Sequence, residues 1–195
     1  MRLLLKARLD SAATAFRREL LLLGFDSTKL ALVEIYWCPV PQVTMPLALG
    51  FFVHDAGCVA RWLGYTPGHI FIPALAPKGS VRDVLRHEAG HALAHYYPML
   101  IRRAVAFRRV FGGTYDQPDP VGGKSGDFVS AYAATSPCED FAETFMFFLK
   151  HRGRKPTRFR GRIIAKWTFI RRLVKRLTQR RVQRNCKLRC GGITG

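Results

Sequence analysis

The stretch VRDVLRHEAGHALAHYYP, residues 81 to 98, carries the side chains in this chain whose types and spacing point most directly to chemistry. Residues four apart lie on one face of a helix, so His87 and His91 can turn two imidazoles toward the same ion, with Glu88 beside them. This is the HExxH arrangement, in which two neutral imidazoles hold Zn2+. The carboxylate then takes a proton from water on the metal, whose pKa the ion lowers to about 7. Ala89 and Gly90 are small and let such a helix lie close against a neighbour.

A catalytic zinc needs three protein ligands and an open position. His95 continues the histidine stripe, but successive turns rise about 5.4 Å, which puts it roughly 12 Å along the axis from His87 and out of reach of a shared ion. The continuation HExxHxxGxxH also fails, because Ala94 and Tyr97 stand where Gly and His are required. The third ligand must come from another element. In SAYAATSPCEDFAETF, Glu139 and Glu143 are four apart and share a helical face. A ligating imidazole usually gives its other N–H to a carboxylate, which assigns Glu139 to zinc and Glu143 to His87 or His91 as an orienting partner. The competing role for Glu139 is a capping-box glutamate closing back on Ser136. Asp140 is the weaker substitute as ligand, since it projects from a different face.

Positioning these residues requires particular elements. Ser80 as N-cap, with Asp83 three residues on, opens the helix bearing the HExxH residues, and Pro98 stops it after Tyr97. Ser136 as N-cap, Pro137 at N1 and Glu139 at N3 start the second helix. Between them, GGTYDQPDPVGGKSGD (112–127) is a long loop of the kind that is often functional. Upstream, MRLLLKARLDSAATAFRRELLLLGF reads as an amphipathic helix. It is followed by the β-prone pieces LALVEIYWC, LALGFFVH, CVARWLGY and GHIFIPAL, punctuated by Pro and Gly. The expected fold class is α+β: a small, mostly antiparallel sheet packed on the HExxH helix, followed by further helices. The last is basic and amphipathic, with Ile163, Trp167, Ile170, Val174 and Leu177 recurring at three and four residue steps.

HExxH on one helix followed by ExxxE on a later one resembles the gluzincin clan of zinc metallopeptidases. More narrowly, HEAGH with YAATSPCEDFAETF is similar to small bacterial proteins described as zinc-binding metallopeptidases, over roughly residues 60 to 155. The resemblance implies a zincin-like fold, Zn2+ as cofactor, a peptide or protein substrate, and Glu139 as ligand with Glu143 behind it. It also implies that Tyr132, seven residues before the ligand glutamate, hydrogen-bonds the oxyanion formed when water attacks a carbonyl. The alternative for Tyr132 is a packed tyrosine. Finally, it implies that an edge strand before the HExxH helix, here Gly68 to Pro73, pairs with an extended peptide, against the alternative of an ordinary core strand.

With 195 residues, 48% of them hydrophobic, the chain can build one ordinary core. The formal charge of +19 is unevenly spread: residues 1 to 149 hold 15 Lys+Arg and all 13 Asp+Glu, whereas residues 150 to 195 hold 17 Lys+Arg and no acid. This divides the chain into a catalytic domain, 1–155, and a basic helical extension, 156–195, packed on the body and weakly attractive to polyanions, nucleic acid ahead of lipid. Five scattered cysteines without a CxxC pair suggest reduced thiols, with Cys186 and Cys190, four apart, as a minor metal or pairing candidate. No apolar run forms a signal-peptide core or reaches the roughly 20 residues of a membrane span, so a soluble, cytoplasmic protein without a transmembrane segment is expected. The leading function is a zinc-dependent metallopeptidase; the alternative is a nucleic-acid-associated binding protein whose zinc is structural or vestigial.

Overall fold

A computed structural model describes residues 2–3, 6–25, 35–38, 51–52, 69–73, 75–76 and 80–190. For the strands at 2–3, 36–38, 51–52, 73 and 75–76, and for the helix from 180 on, it describes the backbone path alone. Among the described residues five helices dominate: α1 Lys6–Leu22, α2 Val81–Tyr96, α3 Val105–Phe111, α4 Pro137–Lys150 and α5 Arg162–Cys190. The strands β1 Arg2–Leu3, β2 Ile35–Cys38, β3 Phe51–Phe52, β4 Ile70–Pro73 and β5 Leu75–Ala76 are two to four residues long. No helix among the described residues is long and apolar enough to cross a membrane.

The expected α+β arrangement is therefore corrected. The described chain is mostly helical, and its longest strand pairing, β2 with β4, is parallel rather than antiparallel. The element lying along α2 is α4, another helix, and the cause is visible at Gly90. A Cβ there would stand 2.8 Å from the Ala142 Cα, so only two small residues allow the backbones to meet this closely. The edge-strand expectation for residues 68–73 also fails for the described part. The strand β4 is central in the order β2-β4-β3, and Ile70, Phe71 and Ile72 are all buried. Three consecutive apolar residues mark a strand covered on both faces. Gly68 and the β-prone CVARWLGY lie outside the described residues, as do the side chains of Cys186 and Cys190.

The remaining elements follow their local chemistry. In α1 the buried face is Leu9, Ala13, Phe16 and Leu20, at helical spacing. Its Glu19 meets Arg86 of α2 at 2.6 and 2.8 Å, and Arg86 also bonds Asp83. The Ser80 hydroxyl makes no cap bond, and Asp83 turns to Arg86 and Lys150 instead. Ser136 does cap α4, its hydroxyl accepting from the Glu139 backbone N–H. Gly112 ends α3 at φ 83°, a left-handed position where a Cβ would also stand 2.5 Å from Val121.

Helix α5 belongs to the same core as the rest. Ile163, Trp167, Ile170, Leu173 and Val174 are buried in one cluster with residues of α1, α2, α3 and α4. Its Lys166, 2% exposed, pairs with Asp140 of α4, 1% exposed, at 2.6 Å. The Lys166 ammonium also donates to the Asp127 carbonyl at 2.7 Å and lies over the Phe128 ring, tying down the loop that leads into α4. Burial pushes the Asp140 carboxyl up to about 6, against the opposing pull of Lys166.

Gly90→Ala is expected to lower stability by about 1–3 kcal/mol by overpacking the α2–α4 crossing. Thermal unfolding followed by circular dichroism measures this. Replacing Lys166 with Met should cost about 3–5 kcal/mol, because it strands the Asp140 charge in the core.

Candidate metal centre

The close α2–α4 crossing sets the HExxH face of α2 against the first turns of α4. His87 Nε2, His91 Nε2 and Glu139 Oε2 converge there, with separations of 3.2 Å between the nitrogens and 3.1 and 3.5 Å from the carboxylate oxygen. Ligands bound tetrahedrally at zinc distances of about 2.0–2.1 Å stand about 3.3 Å apart, so the three donors are already spaced for one ion. They form a possible metal-holding group among the described residues.

The proton positions explain why a cation fits. The His87 Nδ1 lies 2.8 Å from Glu143 Oε1, and an ionised carboxylate only accepts, so Nδ1 carries the hydrogen. In the neutral ring this leaves the Nε2 lone pair facing the His91 nitrogen and the Glu139 carboxylate. Glu139 Oε2 is itself buried without a hydrogen-bond partner of good geometry. The His87 Nε2 lone pair and an unsatisfied buried carboxylate oxygen repel one another unless a positive charge sits between them. In the metal-free protein a proton takes that place. Burial opposes charging His87, yet the Glu139 and Glu143 carboxylates outweigh it and hold its pKa at about 10. Burial likewise opposes ionising Glu139, but His87 and His91 hold it well below the ordinary carboxylate range.

Behind the donors lies a second layer of contacts. Glu143 takes His87, and its other oxygen accepts from the Ser130 hydroxyl at 2.6 Å; Ser130 Oγ in turn accepts from the Ala133 backbone N–H. His91 Nδ1 lies 2.8 Å from the Tyr115 hydroxyl. Tyr115 is 3% exposed, and Arg102, held by Asp116, lies 5.9 Å from its ring centre. Neither Ser130 nor Tyr115 is identifiable as a site residue by spacing. Both sit in the connection between α3 and α4; Tyr115 falls within the long loop 112–127, and Ser130 lies three residues beyond it.

The other expected residues are placed as follows. Glu88 is buried, and its charge acts on both His87 and Tyr132, raising both pKa values. The Tyr132 ring centre lies 5.7 Å from that of His87, and the residue is 54% exposed. Burial and the Glu139 carboxylate push its phenol above the ordinary value, so it stays a hydrogen-bond donor at neutral pH. Asp140 is engaged by Lys166 and takes no part. His95 lies against Tyr96.

Residues 80–160 match a family model described as "Putative zinc-binding metallo-peptidase". Comparison with curated proteins gives no match, and comparison with solved structures gives none. The match spans α2, the connecting loop and α4, so all the convergent donors fall within it.

Purified protein should contain about one zinc per chain, lost in Glu139→Ala, whereas Glu143→Ala and Tyr115→Phe retain the site with affinity weakened about 10–100-fold, as read by chelator competition. Because His87 is protonated below its metal-free pKa, zinc must expel that proton. Affinity should therefore tighten as pH rises from 6 to 8, by up to about tenfold per unit.

Proposed function

We propose that this segment, similar to zinc-binding metallopeptidases and carrying the donor triangle, is a zinc-dependent hydrolase that cleaves peptide bonds. The observation that carries the reading is the convergence of His87, His91 and Glu139 with a buried carboxylate, Glu88, next to them. A structural zinc site is closed by four protein ligands, whereas three are assembled here among the described residues. That difference favours hydrolysis over the nucleic-acid-associated reading with a structural zinc.

When bound, zinc supplies Lewis acidity, lowering the pKa of water to about 7 and polarising a carbonyl. The work of the protein is then proton handling and charge stabilisation. Glu88 is the general base: its carboxylate accepts the proton of the attacking water and delivers it to the leaving amine. Burial beside the donors strengthens that exchange, because little solvent competes for the carboxylate. Tyr132 donates its phenolic hydrogen to the oxyanion that develops on the attacked carbonyl. Its partial exposure leaves it able to approach a substrate. Glu143 and Tyr115 hold the two imidazole rings with Nε2 toward the ion.

Glu88→Gln is expected to keep its zinc and lose peptide hydrolysis by about 10²–10⁴-fold. Tyr132→Phe should lower kcat by about 10²–10³-fold with little change in KM. A fluorogenic peptide library assayed alongside metal content tests both. Undiminished hydrolysis in zinc-loaded Glu88→Gln protein would sink the mechanism.

A further inference from the structure

A groove of about 490 Å3 separates α3 and the preceding turn from α5, and none of the metal-centre residues lines it. Its floor includes Leu100, Val110, Phe169 and Leu173, and Met99 stands beside them 66% exposed. Arg109 rises from one wall, Arg172 and Arg176 from the other, all three exposed. Among the described residues these guanidiniums have no ion pair or hydrogen bond, unlike Arg82, Arg86 and Arg102, which meet carboxylates.

The absence of local neutralisation is written in the sequence. No Asp or Glu occurs between Glu88 and Asp116, or anywhere after Glu143, and both walls come from these acid-free stretches. Beyond the groove α5 runs on to Cys190 with five further Lys and Arg among residues 180–190. Outside the described residues the chain itself holds only three acids, Asp26, Glu34 and Asp55. The chain therefore has little of its own with which to satisfy this surface.

We propose that the groove docks an acidic, amphipathic peptide segment of a partner protein, apolar side chains on the floor and carboxylates against Arg109, Arg172 and Arg176. The volume suits several side chains, since ligand sites of about 300–1,000 Å3 hold drug-sized groups. An amphipathic segment laid in an apolar groove is an established mode of recognition, and the unpaired cations on both walls select for acidic flanks. A nucleic-acid backbone would meet the arginines but leave the apolar floor unfilled. A bilayer surface covers protruding faces and does not fill a concave one. The docking surface does not depend on the hydrolase reading, because it involves none of the metal-centre residues.

The test is fluorescence anisotropy with the full-length, zinc-loaded protein and a labelled helical peptide of repeating Leu-Leu-Glu-Glu. The comparison probes are the same peptide with Gln for Glu, a single-stranded thymidine oligonucleotide, and phosphatidylglycerol vesicles. The acidic peptide should bind at least about tenfold more tightly than the Gln peptide or the oligonucleotide, a difference of about 1.4 kcal/mol. Both the Arg172→Glu/Arg176→Glu double variant and Met99→Asp should lose about tenfold or more for the acidic peptide. Both variants should keep wild-type circular dichroism and zinc content. Equal binding of the Gln peptide overturns the proposal, as does wild-type affinity in either folded variant. So does tighter binding of the oligonucleotide or the vesicles through Arg172 and Arg176. Should either variant unfold, Arg109→Ala, which removes a single exposed guanidinium, decides in its place by the same criterion.

Discussion

The approach of α2 to α4 at Gly90 and Ala142 is the constraint on which the rest of the molecule turns. With 2.8 Å between a would-be Gly90 Cβ and the Ala142 Cα, neither helix can carry a larger residue without sliding or tilting. The crossing falls three residues after His87, one before His91, and three after Glu139. Any shift of the helices would therefore open the 3.1–3.5 Å triangle of donor atoms directly. Two small side chains, with no polar chemistry of their own, determine whether three polar ones can act together.

The donors are then held from behind by elements that themselves need holding. Glu143 positions His87 from within α4, and Ser130 orients Glu143 from the loop. Tyr115 positions His91 from the same long connection. That connection is anchored in turn by Lys166, which reaches Asp127 and Asp140 from the C-terminal helix. A buried ion pair of this kind is weak evidence for stability, since taking both charges out of water offsets much of their attraction. The pair sits beside the apolar face of α5: Lys166 meets Asp140 next to Trp167 and Ile170, which are buried in the core.

Charge is divided in the same physical way. Glu139, Asp140 and Glu143, at the metal centre and its support, each meet a cationic or imidazole partner, while the acid-free stretches build the groove between α3 and α5. Basic residues that look uniform in sequence thus fall into different environments. Lys166 is buried and paired, Lys150 reaches Asp83 on the surface, and Arg172 and Arg176 stand on the groove wall.

Local chemistry was legible for most features that depend on nearby residues, the Ser80 cap, which does not form, being an exception. Helical spacing brought His87, Glu88 and His91 together, Ser136 and Pro137 marked the start of α4, and the three-and-four periodicity of Ile163, Trp167 and Ile170 marked a packed face of α5. Spacing also picked out Glu139 and Glu143, because both belong to one helix whose face could be counted. Tertiary structure alone decided what lay across from each face. The element packed most closely on α2 is the helix α4, β4 is interior and not an edge, and His87 rather than His91 receives Glu143. Tyr115, Ser130 and Lys166 reach their partners from 13 to 39 residues away, through a loop without periodicity. A repeat of 3.6 residues tells which side chains share a surface, but the surface they meet is chosen by the packing of the whole core.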